Sequence, residues 1–242
     1  MRIILKNRAL LKISGSDAEE FLQNQFTNDL KKLERKKVQF NAYCQHQGKV
    51  IAFFWVMRMG EDFLLSFPNE LFEKIENRLK IFVIMSDVII DNVTNVLSQT
   101  GLINESSPNE FRINDELAVL IEDSIGQVEE LAENQIIWEK ACLDSNIPEI
   151  YNITSERLVP QMLNLDINEL GVSFSKGCYP GQEVVARLHY LGSAKRRLFS
   201  FRSNQEMLIG DSLYCASSKT ALARGDRYKG SGIVVSKVKY NS

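Results

Sequence analysis

Long apolar runs are missing from this chain. The longest has eight residues, Val50 to Met57, and stops at Arg58. A bilayer-spanning helix needs about 20, so no membrane partner is expected. Lys6 and Arg8 interrupt the apolar N-terminal residues before a signal-peptide core forms. Histidine is scarce, with only His46 and His189. The four cysteines, at 44, 142, 178 and 215, include no Cys-x-x-Cys pair. The spacing therefore points to no metal site, and in the cytoplasm, where the chain is placed, the thiols stay reduced. A charge excess is also absent: 29 Lys and Arg oppose 31 Asp and Glu, for a net charge of −2. That excludes a global pull toward nucleic acid or an anionic membrane. No internal repeat or low-complexity segment is present.

What is present is ordinary globular material. Of 242 residues, 44% are hydrophobic and 25% charged, which matches folded domains and excludes a disordered chain. A chain of this length buries roughly 70–75% of its unfolded surface. The pattern reads as α+β. Ile3 to Ile13 is extended. Ser16 and Glu19 form a capping box ahead of a helix bearing Ala18, Phe21, Leu22 and Gln25. Gln47-Gly48-Lys49 turns between two strands, and Val50–Met59 and Phe63–Phe67 form a hairpin around Gly60. Pro68-Asn69 opens a helix with Leu71, Phe72, Ile75 and Leu79 on one face. Ile81–Met85 and Val88–Val93 read as strands, and Phe111–Glu122 as a hairpin turning at Asn114-Asp115. A helix over 134–143 turns Ile137, Ala141 and Trp138 inward. Gly171–Phe174 reads as a strand, followed by a turn and a helix from Gln182 to about Tyr190. Beyond Gly192 the pattern becomes short strands at 198–201, 212–215, 221–223 and 232–238, spaced as in a small β-barrel. The boundary falls near 192, giving regions 1–192 and 193–242, with a subdomain break near 100–110.

The segment richest in chemistry is Ser173-Phe174-Ser175-Lys176-Gly177-Cys178-Tyr179-Pro180-Gly181-Gln182-Glu183. Gly177 and Gly181 permit positive φ or a close backbone approach. A helix start supplies free N–H groups and partial positive charge. With Lys176 two residues away, both features favour the thiolate of Cys178. Burial is the commoner fate of a free cysteine, so the residues alone leave an inert thiol and an activated one both open.

Lys-Gly-Cys-Tyr-x-Gly-Gln-Glu resembles the motif of the YgfZ family, relatives of the glycine-cleavage T-protein. Other blocks extend the resemblance over most of the chain: Ser14-Gly15-Ser16-Asp17-Ala18, Phe21-Leu22-Gln23, Thr27-Asn28-Asp29, Gln47-Gly48-Lys49, Pro160-Gln161, Asn164-Leu165, Val185-Ala186-Arg187 and Lys195-Arg196-Arg197. The resemblance implies a T-protein-like fold of antiparallel sheets with helices and a C-terminal β-barrel. It also implies a cytoplasmic protein that binds tetrahydrofolate or another folate. Such a protein serves iron–sulfur cluster assembly or repair, and through it tRNA modification, with assembly or client proteins as partners. Cys178 is then the functional thiol, tuned by Lys176. Gly177, Tyr179, Gly181, Gln182 and Glu183 shape the turn and the cofactor contact. Glu183 and Arg187 stand four residues apart, the spacing of a helical ion pair. The thiol's role stays open among a transient cluster ligand, a persulfide acceptor and a trap for a one-carbon unit.

Two departures from the family pattern carry weight. Ala52 and Phe53 stand where the T-protein has an Asp pair, and an apolar pair cannot move a proton. Classical aminomethyl transfer, the alternative enzyme reading, is thereby disfavoured. In the folate block, Asp144 occupies a Glu position. A carboxylate there accepts from the amino group and ring N–H that a pterin presents side by side; a solvated helix-end Asp is the alternative. Trp138 falls at a folate-associated tryptophan and offers an indole for stacking, or else simply fills core. Arg8 replaces a second such tryptophan; arginine can stack and can pair with a folate glutamate, while an exposed strand arginine is the plainer reading. Two basic groups complete the survey. Lys31, Lys32, Arg35, Lys36 and Lys37 read as a solvated loop. Lys195, Arg196 and Arg197 with Arg187 and His189 form an anion patch, facing a polyglutamate tail or a nucleic acid. Direct tRNA contact is a third reading, opposed by the low net charge and the lack of a base-stacking aromatic cluster in the sequence.

Overall fold

The computed structural model describes residues 1–84, 86–124, 132–201 and 209, and the strands at 212–215, 218–224 and 232–237. In chain order the elements are β1 (Arg2–Ile4), β2 (Arg8–Ser14), α1 (Ala18–Gln25), β3 (Gln39–Cys44), β4 (Val50–Met59), β5 (Asp62–Pro68), α2 (Phe72–Ile81), β6 (Ile89–Asn92), β7 (Leu97–Ile103), β8 (Glu110–Arg112), β9 (Leu117–Asp123), α3 (Ala132–Asp144), α4 (Gln182–Tyr190), β10 (Arg196–Phe201), β11 (Ser212–Cys215), β12 (Ser218–Arg224) and β13 (Gly232–Lys237). They build three antiparallel sheets. One is five-stranded, in the order β3-β4-β5-β2-β6. The other two have four strands each, β1-β7-β9-β8 and β10-β13-β12-β11.

Strand β4 explains where the core lies. Its first eight residues are buried on both faces, as expected of a strand too apolar to have a wet side. Phe54 packs against Phe26 and Phe67, with ring centroids 4.9 and 5.1 Å apart. The neighbouring Phe53 and Trp55 point the other way, toward Phe40. Successive side chains of a strand alternate faces, so this one strand supplies aromatics to two layers. Burial of such side chains is worth about 1.5–3 kcal/mol each.

Local expectations are met at α2, whose buried face is Leu71, Ile75 and Leu79, and at the β4–β5 and β8–β9 hairpins. Four expectations are corrected. Ser16 does not cap α1; Asp17 occupies the cap, and the Ser16 amide and hydroxyl both bond Asp87. Residues 82–84 are not a strand, and Ile81 ends α2. Ile137 is exposed while Trp138 and Cys142 face the core. Residues 171–174 are irregular, because their polar backbone groups bond Thr27 rather than a sheet neighbour: the Thr27 hydroxyl donates to Gly171 O (2.6 Å), and Ser173 N donates to Thr27 O (2.9 Å). The last four strands form one sheet, and no barrel closure is shown among the described residues. Arg197 and Asn164 fasten that sheet's first strand to the loop at 160–166: Arg197 pairs with Asp166, and Asn164 Nδ2 donates to Leu198 O at 3.0 Å. No helix among the described residues is long and apolar enough to cross a membrane.

Candidate functional site

The Cys178 turn is assembled from blocks far apart in sequence. Thr27 and Asn28 follow α1 and bridge two segments. Thr27 Oγ1 accepts from Ala42 N on β3 (2.9 Å) while donating to Gly171 O. Asn28 N donates to Asn41 Oδ1, and its side-chain amide donates to Phe40 O. Against this frame lies Lys176. Its ammonium donates to the carbonyls of Gln23, Phe26 and Asn28 at 2.5, 2.6 and 3.0 Å. An ammonium has three N–H donors, and all three are used. Burial lowers the Lys176 pKa to about 8, and Asp29 opposes that shift. The Lys176 ammonium is thus committed to three carbonyls of the segment 23–28. It is a tie that fixes the turn to the end of α1.

Tyr179 is buried on the same side, with Lys176 Nζ 5.4 Å from its ring centre. Burial, followed by the proximity of Cys44, pushes its phenol pKa up; burial likewise pushes up the Cys44 thiol. Between these two anchored residues, Gly177 and Cys178 are exposed. Gly177 has open space around it, since a Cβ there would meet nothing within 4 Å. The glycine rationale thus fails at this position. It holds fully at Gly181, the cap of α4, which has φ +82°. A Cβ at Gly181 would sit 2.5 Å from Gln45 O and 2.7 Å from Gly48 Cα. The β3–β4 turn and the start of α4 therefore touch backbone to backbone. Gln161 holds α4 from below, donating Nε2 to Val185 O at 2.7 Å. Gln182 reaches Gly177 O only at 3.5 Å. Glu183 is exposed and forms no ion pair with Arg187. The result is one exposed thiol on a turn pinned at both ends. Among the described residues no group of three or more His, Cys, Asp or Glu side chains forms a metal-binding cluster.

The residues expected to hold folate fall elsewhere. Arg8 is not an exposed strand arginine. Its Nε donates to Ser66 Oγ (2.8 Å), Nη2 to Ser66 O (3.0 Å) and Nη1 to Glu149, and its guanidinium lies 3.8 Å from the centre of the Trp55 ring. Ser66 Oγ in turn donates to Gln99 Oε1 at 2.6 Å. Trp138 packs edge-on against Trp55 with centroids 6.1 Å apart, and its ring covers Gly101, where a Cβ would lie 2.5 Å from it. Both arginine and glutamate side chains are about 5% exposed. Arg8, Trp55, Trp138 and Glu149 line a cavity of about 20 Å³. That is room for a water molecule, whereas ligand sites run to about 300 Å³ or more. A pterin ring does not fit between these groups as they stand. Asp144 lies outside the cavity, exposed near the end of α3. Glu149 was not singled out by the sequence reading. Its one signal is a lone charge between Ile147-Pro148 and Ile150. A wider cleft of about 710 Å³ opens on another side of Arg8, between Lys6, Thr94, Gln99 and Ser124; neither Trp138 nor Asp144 lines it.

Comparison with known proteins agrees with this architecture. A tRNA-modifying protein YgfZ of Colwellia psychrerythraea is 31% identical over 238 residues, covering 84% of this chain and 72% of that protein. The chain belongs to the YgfZ family. A second family member, from Blochmanniella pennsylvanica, is 27% identical over 96% of this chain and 81% of its own length. No protein-family model matches. Among solved structures, the glycine cleavage system aminomethyltransferase T of Bartonella henselae superimposes with a TM-score of 0.67 over 98% of this chain and 78% of that one, at 12% identity. The fold is thus that of the T-protein. Ala52 and Phe53 are both fully buried in β4.

Proposed function

We propose that the chain is a cytoplasmic accessory factor for tRNA modification that acts through Cys178 in iron–sulfur cluster assembly or repair. The observation that carries this reading is the pairing of an exposed thiol with a rigidly anchored turn. A structural cysteine gains nothing from exposure; a working one needs access and a fixed position. Cys178 offers one sulfur ligand, so a cluster held through it shares its remaining ligands with a client or assembly protein. In this reading Lys176, Tyr179 and Gly181 hold the turn, Gly177 keeps the approach to the sulfur open, and Gln182 and Glu183 lie on the first turn of α4 beside it. No step runs through a folate, because the Arg8–Trp138 cluster does not fit one. Buried Ala52 and Phe53 give no support to aminomethyl transfer.

The test is Cys178→Ser in cells that depend on this chain, with modified tRNA nucleosides as readout. The expected outcome is loss of the modification with a melting temperature within about 2 °C of the wild type, since the side chain is exposed. Full modification by the serine variant would end the thiol reading.

A further inference from the structure

The face beside Cys178 carries an aromatic cluster that the sequence did not reveal. Phe174, from the turn, stacks on His189 of α4 with ring centroids 3.7 Å apart and planes 17° apart. Tyr190 stands edge-on to both, 4.7 Å from His189 and 6.1 Å from Phe174. Phe174 is half-buried against the core, while the outer rings are open: Tyr190 is 65% exposed, and His189 is exposed as well.

Cations approach it from two sides. On α4, Arg187 lies one turn before Tyr190, and His189 shares the wall of a cleft of about 290 Å³ with Ser193 and Arg197. Arg197 is occupied by Asp166, but the adjacent Lys195 and Arg196 are exposed. From the other side comes the basic run at 31–37, where Lys32 reaches Ser175 Oγ (3.5 Å) and Glu169 (3.4 Å), next to Phe174. Each of the segments 31–37 and 174–197 has five Lys or Arg against one acidic residue. Lys176 is buried and Arg197 is paired with Asp166, which leaves Arg187, Lys195 and Arg196 as the exposed cations of the second segment.

We propose that this face binds a single-stranded RNA segment directly. Its bases stack on Tyr190 and the Phe174–His189 pair, and its phosphates lie against Arg187, Lys195 and Arg196. Aromatic platforms flanked by cations are how proteins hold unpaired nucleotides; an acidic peptide would use the cations and leave the rings idle. The choice of RNA over DNA rests on the tRNA-modification reading above, whereas the surface itself does not depend on the thiol.

The experiment is fluorescence anisotropy of a labelled, unstructured RNA of about 12 nucleotides with the full chain. Saturable binding is expected, weakening about tenfold between roughly 50 and 200 mM KCl. Tyr190→Ala should weaken it about fivefold or more, and the double variant Lys195→Ala/Arg196→Ala should flatten the salt dependence. Cys178→Ser should bind like the wild type, which separates this surface from the thiol reading. Absence of binding at about 100 μM protein in low salt, no effect of Tyr190→Ala, or equal affinity for a duplex of the same length would overturn the proposal.

Discussion

The two regions to which the family resemblance points are built in opposite ways. Around Cys178, the Lys176 ammonium, Thr27 and Gln161 tie the scaffold to backbone carbonyls, and the thiol is left out in solvent. Around Arg8, the guanidinium is tied to Ser66 and Glu149, while Glu149 Oε1 and Trp55 Nε1 are buried without a hydrogen-bond partner, and little room is left for a visitor. The first arrangement presents chemistry; the second encloses it. A shared position in a motif does not carry a shared role when its neighbours have changed. Arg8 is accompanied by a buried Glu149, and beside the pair the cavity is only about 20 Å³.

The largest effect should come from breaking the enclosed region. Glu149→Ala leaves Arg8 buried and unpaired, and should cost about 3–5 kcal/mol in urea unfolding. The double variant Arg8→Met/Glu149→Leu should recover most of that loss or exceed the wild type, since packed apolar groups often equal a buried ion pair. A small effect of Glu149→Ala would mean that the cluster is open to water, and that the contrast is false. Next is Gly181→Ala. A side chain at φ +82° that must also displace the Gln45–Gly48 turn should cost about 2 kcal/mol or more, with thiol alkylation at Cys178 changing in parallel.

Lys176→Met should cost about 1–3 kcal/mol, because three buried carbonyls lose their donor. Its pH dependence has a definite sign. With the folded-state pKa lowered from 10.5 to about 8, the unfolded chain holds the proton across that window and the folded chain does not. Wild-type stability relative to the Met variant should therefore rise from pH 8 toward 10.5 and level off beyond it. A falling difference would show that the carbonyl cage outweighs burial. The smallest effects belong to the folate positions. Asp144→Ala should stay within about 0.5 kcal/mol, and tetrahydrofolate should leave tryptophan emission unchanged. Saturable quenching that disappears in Trp138→Phe would reopen the enclosed cluster as a ligand site.

Much of the fold was legible because it follows from local rules. The helix from Gln182 to Tyr190, the Gly60 hairpin and the α2 face all follow from spacing and turn residues. The failures have one cause in common. Ser16 answers to Asp87, residues 171–174 to Thr27, and Arg8 to Glu149, each far away in the chain. Local patterns cannot announce such partners. The candidate site is half legible: the sequence motifs mark the Cys178 turn and the blocks at 27–29, 47–49 and 160–161. They do not mark these blocks as the walls of one turn, nor Phe174, His189 and Tyr190 as one cluster. The three carbonyls that hold the Lys176 ammonium lie about 150 residues earlier in the chain, beyond the reach of a local pattern.

The contact between Gly48 and Gly181 has a consequence in time as well as space. The turn that bears Cys178 has no seat until the hairpin made more than a hundred residues earlier is in place. A growing chain therefore displays its N-terminal sheet well before it possesses a presentable thiol. Long-range closures of this kind are late and slow events. The exposed sulfur is in that sense a certificate of completion: only a molecule whose two halves have met can hold it on its seated turn.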